Sequence, residues 1–413
     1  MRLGGRFGVL RVRNLRFVFA ATTVSEFGDG VVGVALAFAV LDLTGSATDL
    51  GIVFAVKTIA QVSALLVGGV VSDRVSRRAV MMGADITRCV SQLAIGALLV
   101  SKHASVAEIV ASQAVLGAAS GFFNPASAGL IPAVAEDHLQ EANALQGMVA
   151  AASGMIGPAL GAVIVVGVGA PWAMVVDGAS YLGSALFLSR VSGSVIGAIA
   201  RDEGSTFFSD LRDGFHEVAS RTWVWSLILA FAVINSAAGA FGVLGPLICK
   251  RHYGGAPAFA LLGICFSAGV LLAGSLMLRF KPRHPLRAGV LMCVPLGFAN
   301  VLLALHAPLY VVAPFSVIAG MGPIGFNTLW WTTLQQEVPP ELISRVISYD
   351  FAGSFALQPI GYALAGPLAV AIGLSPALIA FGAVTGVLSA ATLLVRDVRT
   401  LERGSARAAP ASP

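Results

Sequence analysis

From Leu50 to Val71 the chain carries one charge, Lys57, and from Ala79 to Val100 it carries two, Asp85 and Arg88. Between these runs lies a short basic turn, GGVVSDRVSRRAVMM over residues 68–82. Few folds accept such a pair of segments. A helix needs about 20 residues to cross the hydrocarbon core, and in lipid its backbone groups must be satisfied within the segment itself. The hairpin predicts two membrane-crossing helices joined on the cytoplasmic side. The pattern continues along the chain in twelve runs, over residues 16–40, 49–71, 79–101, 106–131, 145–167, 171–190, 223–247, 258–279, 287–306, 309–333, 346–370 and 373–395. Only 11% of residues are charged and 57% are hydrophobic, whereas an ordinary globular domain carries about 25% charge. The class is an all-α polytopic membrane protein.

Placement of the basic residues orients the chain. Twenty-one Lys and Arg fall on the face shared by the termini, including Arg2, Arg6, Arg11, Arg13 and Arg16, and three fall opposite: Lys102, Lys250 and Arg251. Positive residues stay on the cytoplasmic side, so both termini are expected in the cytoplasm of a cell-membrane protein. The basic N-terminus imitates a secretory signal, but its apolar run continues past Glu26 and Asp29 and reads as an uncleaved first helix. The net charge of +5 is spread over short loops instead of one basic face, which points to the anionic leaflet and not to nucleic acid.

The chain also reads as built twice. Phe123-Asn124 returns as Phe326-Asn327, and Gly157–Gly161 (GPALG) is echoed by Pro359–Gly361. Parallel repeats of six helices organise many transporters. The expected organisation is a six-helix half over 1–190, a linker over 191–221, a second half over 222–396 and a disordered cytoplasmic tail over 397–413. In the linker Phe207, Phe208, Leu211, Phe215 and Val218 recur at helical spacing among charges, which predicts an interfacial helix.

The turn after the second run has an internal order. Gly69, Val71, Ser72, Asp73, Arg74, Arg77 and Arg78 match the signature loop of the major facilitator superfamily, with Ser76 where that family has its second glycine. The resemblance implies twelve helices in two halves that open alternately to either side. It further implies that Gly69, Asp73, Arg74, Arg77 and Arg78 form a conformational latch, with Asp73 facing residues 344–348. Gly154–Ala162 (GMIGPALGA) resembles the fifth-helix motif of the superfamily's antiporters, with Gly154, Gly157, Pro158 and Gly161 in the motif and Ala162 replacing its last glycine. Runs such as SEFGDG at 25–30, ADITR at 84–88 and LQPIGYALAGP at 357–367 resemble the enterobactin-exporter and macrolide-efflux branch. That branch implies proton-driven export of a small amphipathic drug, siderophore or metabolite.

Charges inside spans are costly, about 3 kcal/mol each at mid-membrane, and should face partners or water. Glu26, Asp29, Lys57, Asp85, Arg88 and Asp177 fall in such places, with Glu108 and Asp350 near span ends. Asp85 and Arg88 stand one helical turn apart, as a structural ion pair would. Glu26 and Asp29, with Asp85, are the candidates for binding and releasing protons, because a carboxylate in a poorly hydrated cavity titrates closer to neutral pH. Lys57 and Arg88 are their candidate charge partners. By analogy with the fold, Asn124, Asn235, Asn327 and Trp330 are candidates to line the cargo cavity, alongside Trp331.

The six histidines form no HExxH pair, and no P-loop or G-x-S-x-G elbow is present, so neither an enzyme nor a cofactor is expected. Cys89, Cys249, Cys265 and Cys293 show no metal-type spacing. The expected partners are a small molecule, protons and the bilayer, with the chain a monomer. Two alternatives stay open: proton-coupled uptake of a small nutrient, and a non-transporting sensor on the same scaffold.

Overall fold

The computed structural model describes residues 12–135, 139–191, 215–277, 279–339 and 342–403, and every regular element among them is helical. The first six helices are α1 (Arg13–Thr44), α2 (Ala47–Arg74), α3 (Arg77–Val100), α4 (Val106–Ala135), α5 (Leu139–Gly167) and α6 (Ala170–Ser189). After a helical turn at 215–220 come α7 (Thr222–His252), α8 (Ala256–Met277), α9 (Pro285–Ala304) and α10 (Leu309–Glu337). The chain then forms α11 (Ile343–Phe355), α12 (Gln358–Ile372), α13 (Leu374–Ala391) and the short α14 (Arg396–Thr400). Most of the predicted interfacial helix, residues 207–214, and the tail from 404 onward lie outside the described residues.

Eleven helical segments among the described residues are long and apolar enough to cross a bilayer. The twelfth crossing is α6, whose 20 residues are made less apolar by Asp177, Tyr181 and several serines. Large apolar side chains face outward on many helices, Val163 at 69% exposure and Val370 at 82% among them. Water would penalise such surfaces, and lipid does not.

Local chemistry explains the turns. Gly45 ends α1 at φ 66° with its N–H on the Leu41 carbonyl, a left-handed position that suits glycine. One residue later Ser46 caps α2 by accepting from the Asp49 N–H at 3.1 Å. Glu108 plays the reciprocal part at α4, accepting from the Ser105 N–H at 2.7 Å, which accounts for a charge at that span end. The eleventh span, expected as one helix over 346–370, is instead broken between α11 and α12. Pro359 has no N–H to offer the Phe355 carbonyl, so one helical hydrogen bond is missing at the break, and Pro359 opens the first turn of α12.

The described helices group into two compact units, the first containing α1–α6 with residues 254–264, the second containing residues 215–253 and 265–403. In the first, α1 packs on α5 and α6, α3 on α4 and α6, and α2 on α4. The second repeats these pairings: α7 on α12 and α13, α9 on α10 and α13. Small residues permit the closest approaches. A Cβ on Gly117 or Gly121 would strike the α2 backbone at Lys57 and Gln61, and one on Gly269 or Gly320 would strike α10 and α8 respectively.

Candidate functional site

In the first unit, polar side chains recur at one-turn spacing on facing helices. Asp85, Arg88 and Gln92 form a stripe on α3, and Asp177, Tyr181 and Ser184 form one on α6; all six are buried. The two stripes meet. Asp85 accepts from Arg88 Nη2 at 2.5 Å on one oxygen and from Ser184 Oγ at 2.6 Å on the other. Asp177 Oδ2 accepts from Gln92 Nε2 at 2.5 Å. The Arg88 guanidinium lies 4.2 Å from the ring centroid of Phe123 on α4 and 4.5 Å from that of Tyr181. Charge, hydrogen bonds and ring faces thus surround a cation that would otherwise be stranded in an apolar core.

Helix α1 closes the network from a third side. Tyr181 donates its hydroxyl to Asp29 Oδ1 at 2.6 Å, while Asp29 itself is exposed. Asp29 lies within electrostatic reach of Glu26, Asp85 and Asp177, and Lys57 on α2 reaches Asp177 in the same way without a direct ion pair among the described residues. Two carboxylate oxygens, Glu26 Oε2 and Asp177 Oδ1, are buried without a hydrogen-bond partner. Such an atom can take up a proton without first giving up a donor. The α5 motif holds α1 in place: a Cβ on Gly157 would meet Gly30, one on Gly161 would meet Val31, and Ser153 donates to the Glu26 carbonyl. Pro158 is accommodated within α5, and Gly154 lies one turn before it.

Among the proposed latch residues, Arg77 Nη1 donates to the Gly129 carbonyl of α4 at 2.6 Å. Arg78 donates to the last carbonyls of α6, from Nε to Leu188 at 2.9 Å and from Nη2 to Ser189 at 2.5 Å. Cations at a helix C-terminus satisfy orphan carbonyls and meet the negative end of the dipole. Both arginines therefore brace the first unit internally. Gly69, Asp73 and Arg74 belong to the helical backbone of α2, and their side chains lie outside the described residues.

The second unit holds a cavity of about 270 Å³. Asn235 on α7, and Asn327 and Trp330 on α10, line it. Asn124 is exposed on α4 of the first unit. Aromatic rings make up much of the wall. Phe231 stacks on Phe326 at 4.0 Å between centroids, Phe326 on Trp330 at 5.9 Å, and Trp331 meets Phe351 at 5.6 Å. One carboxylate belongs to this wall. Asp350 accepts from the indole N–H of Trp330 at 2.9 Å and from Ser354 Oγ at 3.0 Å.

The break in the span falls about one turn beyond that carboxylate. Ser354 and Phe355 stand where α11 ends, and Asn235 Nδ2 donates to the Ser354 carbonyl at 2.9 Å, replacing a helical partner. Interrupted backbone at membrane depth is tolerated where it lines a cavity, as it does here. Gly361 lets α12 approach the Ser236 carbonyl of α7 too closely for any side chain. Reading the sequence alone placed Asp350 at a span end and left Gln92, Tyr181 and Ser184 aside. The i, i+3, i+7 spacing on α3 and the i, i+4, i+7 spacing on α6 were the signals available for the last three.

The Major Facilitator Superfamily profile matches residues 18–357. The chain is 27% identical over 408 residues to the multidrug efflux pump Tap of Mycolicibacterium fortuitum, covering 95% of this chain and 97% of that one. It is 25% identical over 374 residues to Tap of Mycobacterium tuberculosis strain H37Rv, covering 86% and 87% respectively. A bacterial homologue of the human lysosomal transporter Spinster, solved inward-facing and unoccupied, superposes with a TM-score of 0.70 at 16% identity and full coverage of both chains. That likeness concerns the fold alone.

Proposed function

The chain belongs to the Major Facilitator Superfamily, and we propose that it exports a small amphipathic organic molecule across the cell membrane in exchange for protons, by alternating access. The observation that carries the exchange is the network around Asp29, an exposed carboxylate linked through Tyr181 to the buried Arg88–Asp85 pair. A proton arriving at Asp29 changes what Tyr181 binds, and Tyr181 lies against the cation that joins α3 to α6. Loading a proton on α1 is thereby coupled to the packing of α1, α3 and α6. Glu26, one turn away with an unpartnered oxygen, is the second proton carrier. Asp85, held by two donors, serves as the fixed charge.

Export is favoured by the Tap relatives, which are multidrug efflux pumps, and by the α5 motif. The runs resembling the enterobactin-exporter and macrolide-efflux branch support the same direction. Asp73 and Arg74 complete the reading as the cytoplasmic latch, with both termini on that side. Counter-transport in proteoliposomes tests it: substrate efflux should release protons in the opposite sense, and neutralising Glu26 and Asp29 separately should abolish coupling in at least one case. Inward accumulation would favour uptake, and a folded protein that moves nothing would favour a sensor.

A further inference from the structure

The cavity of the second unit has a composition that selects for charge. Its rings pack in two sets, Phe231 and Trp330 stacked on Phe326, and Trp331 tilted against Phe351. Ring faces carry negative potential and attract cations within about 6 Å. Asp350 adds a formal charge to the same wall, and no cationic side chain pairs with it among the described residues. Its two donors, Trp330 and Ser354, orient the carboxylate without neutralising it. Each oxygen accepts one described hydrogen bond and keeps capacity for another interaction. This differs from Asp85, whose countercharge is built in.

A charge left unmatched inside a membrane protein calls for a partner from outside the chain. We propose that this cavity binds a monovalent organic cation, with Asp350 as its counter-charge and the two aromatic sets as its walls. A hydrated metal ion would gain nothing from the rings, and a neutral apolar molecule would leave the carboxylate unmatched. The volume of about 270 Å³ sits just below the usual range of about 300–1,000 Å³ for small-molecule sites, which suits a compact aryl or alkyl ammonium. The assignment deepens the transport reading, on which it rests for what happens to the molecule after binding. Asn235 and Asn327 lie on the same wall and can receive a polar substituent.

Equilibrium binding separates the two ideas, because it needs no gradient and no turnover. The full chain in lipid nanodiscs is titrated with radiolabelled benzyltrimethylammonium, and with neopentylbenzene, its neutral counterpart of the same shape, as competitor. The native chain should bind the cation and be displaced by the neutral compound at least tenfold less effectively. Asp350→Asn should weaken cation binding tenfold or more and erase that preference, while Asp350→Glu should retain it. Trp330→Phe, which keeps the ring and removes the N–H, should weaken cation binding severalfold. Absence of cation binding by the native chain, equal competition by the neutral compound, or native-like binding by a folded Asp350→Asn chain would overturn the proposal. If binding follows this pattern but no proton-coupled flux accompanies it, the export reading fails and the site stands.

Discussion

The two units repeat the same helix pairings and fill them differently. In the first, facing stripes on α3 and α6 bring acid, base and hydroxyl together, so that Asp85 meets Arg88 and Ser184 while Gln92 meets Asp177. In the second, a cavity among α7, α9, α10 and α11 is lined largely by aromatic rings and carries one acid, Asp350. A duplicated scaffold can therefore separate two tasks. A network anchored on one built-in ion pair can move protons without opening a site for organic molecules, while rings around a carboxylate with no described cation can hold a molecule without disturbing that network.

If the Asp85–Arg88 pair anchors the first unit, breaking it should cost the most. Asp85→Ala strands Arg88 in the core, for an expected loss of about 3–5 kcal/mol in a thermal or denaturant unfolding assay. Joint replacement by Asp85→Asn and Arg88→Met should recover much of it, and equal losses for the single and double variants would contradict the pairing. The shared scaffold predicts similar costs in both halves when a close crossing is filled. Gly157→Val meets Gly30 and Gly361→Val meets Ser236, each expected to cost about 1–3 kcal/mol by overpacking, measured the same way.

The smallest stability effect belongs to Asp350. Replacing it with asparagine keeps a carbonyl acceptor for the Trp330 N–H, lets the Ser354 hydroxyl turn to accept from the new amide N–H, and strands no cation, so unfolding should shift by about 1 kcal/mol or less. A loss as large as that of Asp85→Ala would show Asp350 to be a structural charge and remove the contrast between the units.

Much of the fold was legible because a bilayer imposes length and charge rules that a sequence displays openly. The turn at 68–82 and the apolar runs around it suffice for the spans. The doubling showed through Phe123-Asn124 and Phe326-Asn327, each a buried ring followed by an exposed amide on α4 and α10. What joins Tyr181 to Asp29, or Gln92 to Asp177, was not legible, for those partners lie 152 and 85 residues apart and are chosen by packing. Glu26 and Asp29 stood out as expensive charges, but α6 as their neighbour did not. Pro359 marks the break by its missing N–H, yet only the structure shows Asp350 on the wall of a cavity.

The account stands or falls on the division between proton handling in α1 and cargo holding in the second unit. Its most direct test is proton movement driven by benzyltrimethylammonium in proteoliposomes, with equilibrium binding measured on the same preparations of native, Glu26→Gln and Asp29→Asn chains. The account predicts that at least one of these variants binds the cation within about twofold of native, well under 1 kcal/mol, yet releases no protons. Full proton release by both variants, or loss of binding in step with loss of coupling, would contradict it.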